Sequence, residues 1–502
     1  MNKKFITKKV FVMTVLTAVQ VFCVFANEEL VKTEPCVYKE VYVATSNEYK
    51  PDMDYKLCRD DLNHLCYLLV NGYAGYSDMV QRGFKIDKFT EDVISGLKPV
   101  NNSVSTDDFL SQITLNLKPY INDFHFSFII EDDSYNYTFI NDKKIVYWSD
   151  IYLEKKGKDF FVIDGNGIVE NGMHYKTDLD TLFYYPLRGE NVFRLGFLSF
   201  EPIEKKDFEF NGKKITVPLF DDESIPELPI KYREITTADS AYLCMNFFHL
   251  PEYNTVQYNG AEVMFQKYIE CGEKFCSKKN IVLDLRGNKG GYLEPPFGFY
   301  SFLYTGRNMW HYLDECYVEY FMEYDFLFSP VYVLYNYNLA CIYNWGNKYE
   351  INKDKVEMRK SPEKKIFKNK VEEIDYLYEP KKFNGKLILL IDRNTASAGE
   401  LAVLFAKRIF GVEDVIVIGE NSKGCASFAS GMKLRLPCSK ICVCLPCFKL
   451  YEMDSFDLWN GEGTGVFPDC WATRNDLNEL IYSITQDDEF KVKLKPIGFN
   501  LL

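Results

Sequence analysis

The sequence predicts an α/β protein, and three observations carry that expectation. From Ala241 onward, apolar runs alternate with helical patterns: NIVLDL over 280–285, a helix candidate near Pro295–Tyr304, LILLID over 387–392, a helix through Leu401–Ile409, and VIVIG over 415–419. Short uninterrupted apolar runs separated by helix-length segments imply a buried, largely parallel sheet with crossover helices. Ahead of this core, from about Asp60 to Ile121, apolar residues recur every three or four positions in DLNHLCYLLV and DDFLSQITLNLKPYI, which predicts helices. Between the two, from about Phe126 to Ile235, short alternating runs (YTFI, KIVYW, DFFVI, FRLGFLSF, KKITVPL) are separated by Asn-Asp, Gly-Asn-Gly and Asn-Gly signals, which predicts a β-rich module.

These changes of character divide the chain into a leader over 1–26, an N-terminal helical region over 27–125, the β-rich module over 126–235 and a core over 236–502. The start of the second helical stretch is marked by Asp107 and Asp108 following Ser105 and Thr106. Residues 348–386 are rich in Lys and Glu and read as a solvated excursion between two core strands. The leader places Lys3, Lys4, Lys8 and Lys9 ahead of an apolar run from Val10 to Phe25, with Val24 and Ala26 at the −3 and −1 positions of a small-residue cleavage site. The run contains Gln20 and is shorter than the roughly 20 residues a spanning helix needs. An export signal is therefore expected, with an uncleaved anchor, or a lipid on Cys23, as the alternatives. The remaining chain is expected to be soluble, periplasmic or extracellular, with no stable membrane span.

Composition narrows the function classes. The 502 residues hold 59 Lys plus Arg against 72 Asp plus Glu, a net charge of −13, and no basic block interleaved with aromatics, so nucleic acid is not an expected partner. Apolar residues at 47% and aromatics at 16% exclude a disordered chain. Fifteen Cys are many for an exported protein. Cys438, Cys442, Cys444 and Cys447 in LPCSKICVCLPC lie at a spacing unlike paired C-x2-C zinc ligands, among alternating apolar residues. They read as packed or locally bridged cysteines of a β-hairpin rather than metal ligands.

Three segments put unusual residues at the end of a buried strand, where open α/β sheets place their sites. In DLRGNKGG, Asp284 to Gly291, the pair Gly290-Gly291 would let backbone approach a ligand and present N–H groups; an ordinary strand-exit turn is the other reading. In LLIDRNTASAGE, Ser397 falls between strand and helix, where the N-terminal dipole favours developing negative charge. Ser397-x-x-Glu400 fits a helix capping box equally well. In VIVIGENSKGCAS the strand ends in a polar turn over 419–427, and NGEGTGVFPD sets Glu462 among glycines.

The succession DLRGNKGG, TASAGE, GENSKG and GEGTGVFPD resembles the catalytic core of the tail-specific, carboxy-terminal-processing serine peptidases, a family that includes the tricorn core. The resemblance covers roughly 240–480 and, less securely, 50–130. It implies a crotonase-like or Clp-protease-like β/α spiral core with Ser397 as nucleophile. It also implies an oxyanion hole made by the N–H of Ala398 and that of Gly290 or Gly291. In the processing-protease branch a Lys follows the turn's Gly and activates the Ser; here Cys425 occupies that place and Lys423 stands two positions early. The tricorn-like branch uses a His from an Asp/Gly-x-His motif, which INDFHFSF matches with His125 after Asp123. That branch also has a Ser before its His, where this chain has Phe124, so a bridging hydroxyl would come from elsewhere, Ser127 being one candidate. His64, His174, His249 and His311 lack such context. Glu462 matches the downstream acid of that branch, and Glu420 is its rival, better placed for a structural role in the turn.

The expected function is an exported serine endopeptidase that cleaves peptide bonds of a peptide or protein substrate through an acyl-enzyme. Ser397 attacks, His125 is the base and Glu462 the orienting acid, nearer the Ser-His branch than the Ser-Lys branch. Lys423 and Glu420 are the alternative base and orienter, and no metal or organic cofactor is expected. The alternative function is an inactive member of the same fold that binds peptides or apolar ligands, and thiol chemistry at Cys425 has no motif behind it. The middle module lies where relatives carry a PDZ domain; a degenerate PDZ and a small barrel are both open.

Overall fold

The structure, a computed structural model, describes residues 41–42, 44, 50–129, 136–138, 143–221, 233–246, 248, 261–306, 331, 335, 383–450 and 458–495. The leader and nearly all of the Lys/Glu-rich excursion lie outside the described residues. Among those described, no helix is long and apolar enough to cross a membrane. The chain divides into two compact units: Met1–Phe139 with Val318–Ile366 and Phe428–Tyr451, and Ile140–Tyr317 with Phe367–Ser427 and Glu452–Leu502.

The first unit joins helices to a small antiparallel sheet. The helices Cys58–Gly72, Ile86–Gly96 and Thr106–Leu117 arise where the three- and four-residue spacing predicts them, and Leu62, Leu65, Leu69, Val93, Phe109 and Ile113 are buried. Ser105 caps the last of these by accepting the Asp108 N–H at 3.1 Å. The sheet runs in the order Phe428–Arg435, Cys442–Lys449, Ser127–Ile129, Asn136–Thr138, antiparallel throughout. The cysteine-rich segment is thus a hairpin, and Cys438, Cys442, Cys444 and Cys447 are unbridged thiols. Buried Asp61 on the first helix accepts the N–H groups of Cys438 at 2.7 Å and Ser439 at 2.8 Å, so the hairpin turn is fastened to that helix. Ser127–Ile129, which local alternation groups with the β-rich module, instead pairs with the hairpin more than half the sequence away. Alternation predicts a strand but carries no information about its partner.

The second unit contains two sheets. One has eight strands and is antiparallel, in the order Lys213–Pro218, Lys205–Phe210, His174–Tyr175, Asp159–Asp164, Ile145–Lys156, Val192–Ser199, Leu182–Tyr184, with Phe220–Asp221 pairing on Ile145–Lys156. The other is the predicted core sheet, ordered Glu234–Thr236, Ser240–Cys244, Asn280–Asp284, Lys386–Ile391, Val415–Gly419, Cys470–Trp471; its first pair is antiparallel and the rest parallel. Tyr242, Val282, Ile388, Leu390 and Ile418 pack with Leu480, Ile481 and Phe490 of the C-terminal helices Leu477–Thr485 and Asp488–Leu494. Each such large apolar side chain contributes roughly 1.5–3 kcal/mol when fully buried. The helices Glu294–Thr305 and Ala398–Phe410 pack on each other, with the Phe297 and Phe405 rings 4.6 Å apart and the Tyr300 hydroxyl donating to the Ala402 carbonyl at 3.1 Å. Trp471 of the core sheet meets Trp148 and Phe183 of the antiparallel sheet edge-on, which joins the two sheets through aromatic packing. This α/β arrangement is the predicted fold class. It brings three loops, at 285–291, 392–397 and 420–427, out of the carboxyl ends of adjacent parallel strands.

Candidate active site

The middle loop is built around one carboxylate. Asp392 ends the strand, and its Oδ1 accepts the N–H groups of Asn394 and Thr395, each at 2.9 Å, and that of Gly287 in the neighbouring loop at 3.0 Å. Asx turns of this kind replace ladder hydrogen bonds where a strand must stop. Thr395 Oγ1 donates to the Leu285 carbonyl at 3.0 Å, and the Ala396 N–H donates to the Asn288 carbonyl at 2.8 Å. Ser397 then adopts φ 52°, ψ −121° and opens the helix Ala398–Phe410. A non-glycine residue in this region costs on the order of 1–3 kcal/mol and persists only when its surroundings over-determine it. A strained residue between strand and helix is the device that raises a nucleophile above a sheet. Ser397 is half-buried. Its own N–H donates to Glu400 Oε2 at 2.9 Å, so the carboxylate half of the capping box is present.

The glycine-rich loop fits against this turn so tightly that only glycine serves. A Cβ on Gly290, whose φ is +94°, would lie 2.6 Å from Ser397 Cβ and 2.9 Å from the Ala398 nitrogen. The Gly290 N–H is taken by Asn288 Oδ1 at 2.8 Å, while Asn288 Nδ2 donates to the Met245 carbonyl at 2.6 Å. The N–H groups of Gly291 and Ala398 have no hydrogen-bond partner among the described residues. At the base of the loop, buried Asp284 accepts from Arg286 Nε at 2.8 Å, Arg286 Nη2 at 2.6 Å and the Tyr242 hydroxyl at 2.8 Å. This pair is structural.

The third loop is fastened to the helix start by Glu400, which is fully buried. Its Oε1 accepts the Ser422 hydroxyl and the Gly424 N–H at 2.7 Å, and its Oε2 accepts the Cys425 N–H at 2.8 Å as well as that of Ser397. Burial pushes the Glu400 carboxyl up, against the opposing pull of these donors. Lys423 is half-buried and gives its N–H to the Thr395 carbonyl at 2.8 Å, so its backbone lies against the nucleophile turn. Cys425 is buried. Glu420 is engaged by both oxygens with Arg393, at 2.8 Å from Nε and 2.7 Å from Nη2, and Arg393 Nη1 donates to Asp221 at 2.6 Å. Glu462 accepts the N–H groups of Ala426 at 3.1 Å and Ser427 at 2.7 Å through Oε1.

Sequence reasoning did not find three of these supports. Asp392 could have been recognised as an Asx-turn residue from Asp-x-Asn-Thr at a strand end. Glu400 was legible only as a cap. Lys143 carried no local signal, yet its ammonium donates to the Arg393 carbonyl at 2.6 Å and Asn394 Oδ1 at 2.8 Å, and burial pushes its pKa down to about 8.

His125 belongs to the first unit, in the loop between the helix Thr106–Leu117 and the strand Ser127–Ile129. Its N–H donates to Asp123 Oδ1 at 2.7 Å, its Nδ1 lies 3.9 Å from the same oxygen, and its side chain is 21% exposed. Asp123 is fully buried, and burial raises its carboxyl to about 7. The structure therefore brings Ser397, Ala398, Gly290, Gly291, Lys423, Glu420 and Glu462 into one hydrogen-bonded set of loops in the second unit and places His125 on a carboxylate-held loop in the first.

Residues 241–470 match the model of peptidase family S41, over the interval that carries all three loops and Glu462. The matched interval is just under half of the chain, and it identifies a peptidase family S41 region there. The chain is accordingly a serine-type peptidase, and the S41 match begins and ends within the parallel core sheet. Among solved structures, the chain is similar at 12% identity to mature CPAF complexed with lactacystin, over 88% of this chain and 98% of that one with a TM-score of 0.39. It is similar at 12% identity to the photosystem II D1 C-terminal processing protease, over 84% and 93% with a TM-score of 0.33. A putative peptidase from Parabacteroides merdae matches at 11% identity, over 87% and 96% with a TM-score of 0.37. None of the curated proteins compared matches the sequence. The S41 assignment rests on the family match, not on these structural likenesses.

Proposed function

We propose that this S41 peptidase is an exported endopeptidase working through a Ser397 acyl-enzyme with His125 as base. The observation that carries the reading is the strained Ser397, packed against Gly290 and followed by Ala398, with the N–H groups of Ala398 and of the next loop glycine, Gly291, having no partner among the described residues. In this mechanism Ser397 Oγ attacks the scissile carbonyl carbon while the His125 imidazole takes the hydroxyl proton. The carbonyl oxygen becomes an oxyanion held by the Ala398 and Gly291 N–H groups, a form of stabilisation worth about 2.7–4 kcal/mol per donor. Gly290 shapes the hole by close contact and supplies no free N–H. The imidazolium returns its proton to the leaving amine, and water repeats the sequence to release the acid. Glu462 is the proposed partner of the imidazole, with its position fixed by the Ala426 and Ser427 N–H groups. Glu420, already bidentate to Arg393, is the weaker candidate for that role. Peptides or proteins are the proposed substrates, and the chemistry calls for no metal or organic cofactor. Export is proposed from the basic and apolar leader with Val24 and Ala26; the secreted protein should begin at Asn27 by N-terminal sequencing.

A fluorophosphonate probe tests the nucleophile: labelling should occur and be lost in Ser397→Ala. Absence of labelling beside an active control would favour the inactive, ligand-binding reading of the fold. For the base, His125→Ala should lower kcat/KM by orders of magnitude and Lys423→Ala should not. The opposite result would assign the base to Lys423.

A further inference from the structure

The loop that presents His125 contains a buried acid. Asp123 is fully buried, four residues before the strand Ser127–Ile129, and is reached by Tyr73, the C-cap of the helix Cys58–Gly72. Its Oδ2 accepts the Tyr73 hydroxyl at 3.1 Å, and Tyr73 is itself held edge-on by Phe126 and face-on by Phe428. Its Oδ1 accepts the His125 N–H at 2.7 Å, an Asx turn that sets the backbone direction at the histidine. The same oxygen lies 3.9 Å from His125 Nδ1, beyond hydrogen-bond length but within the range where a carboxylate charge stabilises an imidazolium. An acid taken wholly out of water is costly unless its partners and task require it.

We propose that Asp123 is the positioning residue for His125: it fixes the loop through the Asx turn and, when ionised, sets a negative charge 3.9 Å from Nδ1, in addition to the acid that holds the imidazole directly. This inference rests on the reading of His125 as the base. Asp123 acts through His125 and touches no substrate. The charged and titratable groups around the acid are His125, Tyr73, Asp78 (which pairs with Lys449 at 2.9 Å) and the Cys444 thiol. Burial brings the Asp123 carboxyl up to about 7, against the opposing pull of the hydrogen bonds it accepts from the His125 N–H and the Tyr73 hydroxyl.

The experiment compares the pH dependence of kcat/KM in the full-length protein for wild type, Asp123→Asn, Tyr73→Phe and His125→Ala. Asn keeps an oxygen for the His125 N–H and removes the charge. Without the carboxylate the imidazolium is less favoured, so the acidic limb of Asp123→Asn should move to lower pH by roughly one unit. kcat/KM on the plateau should fall about tenfold. Tyr73→Phe removes a hydroxyl donor that favours the carboxylate and should therefore move the limb in the same direction by a smaller amount. If Asp123→Asn shows the wild-type limb and plateau while His125→Ala is inactive, the role of Asp123 is overturned and His125 stands. If His125→Ala retains wild-type kcat/KM, the base assignment itself has failed. A fall in activity with an unmoved limb would mean that Asp123 serves only to hold the fold, and would also overturn the proposal.

Discussion

The loop of Ser397 and the loop of His125 solve the same problem in opposite ways. Around Ser397 the backbone is held redundantly: Asp392 accepts from three N–H groups, Glu400 from three N–H groups and a hydroxyl, and Arg393 and Lys143 tie further segments to the same turn. Around His125 one carboxylate, Asp123, carries the Asx turn. Redundancy lets the first loop keep a serine in a conformation normally left to glycine. The second has no strained residue to maintain among the described residues, and its Asx turn is made by a side chain whose charge can change near neutral pH. A nucleophile must be aimed at one atom, whereas a base must be both aimed and tuned.

Three substitutions would sharpen or break this contrast. Glu400→Ala strips the shared acceptor from the Ser422 hydroxyl and the N–H groups of Ser397, Gly424 and Cys425 and leaves a void, so it should cost about 3–5 kcal/mol by denaturant unfolding. A loss below about 1 kcal/mol would show that the other contacts suffice. Gly290→Ala should lower the unfolding midpoint, because a side chain at φ +94° is strained and meets Ser397 and the Ala398 nitrogen. It should lower kcat about a hundredfold, because the added methyl must displace Ser397 or the Ala398 N–H. Unchanged kcat would mean that the hole lies elsewhere. Asp123→Asn acts on stability through its pH dependence, and the sign is informative. The carboxyl is raised from 3.8 to about 7 in the folded chain, so the folded state binds more protons than the unfolded between those values, and wild-type stability from this group falls as pH rises from about 4 to 7. Asn lacks that slope, so the melting temperature of the variant should gain on wild type across the same window. A constant difference would mean that Asp123 titrates normally.

The core strands and helices were legible because burial imposes periodicity on sequence. NIVLDL, LILLID and VIVIG had to be apolar on both faces, and each became a strand of the parallel sheet. Ser397 was legible for a related reason: a strand-to-helix junction needs a small polar residue whether it caps or attacks. What stayed hidden were pairings across long separations. Lys143 reaching Arg393, Asp61 reaching Cys438, and Ser127–Ile129 choosing the hairpin at 442–444 are set by where the chain folds back, and residue type alone does not encode it. Glu420 shows the intermediate case, an acid whose place in a polar turn suited a structural role, while its bidentate partner Arg393 came into view only with the fold.

The pairing of Ser127–Ile129 with Cys442–Lys449 also constrains the order in which the protein can be made. On a ribosome the early strand emerges some three hundred residues before its partner, and until then one of its edges has no native ladder to join. Exposed strand edges invite association with other chains. Vectorial synthesis therefore postpones completion of the first unit until the hairpin Phe428–Lys449 has been made. A nascent chain truncated before Cys442 would leave that edge unsealed however well its helices had formed.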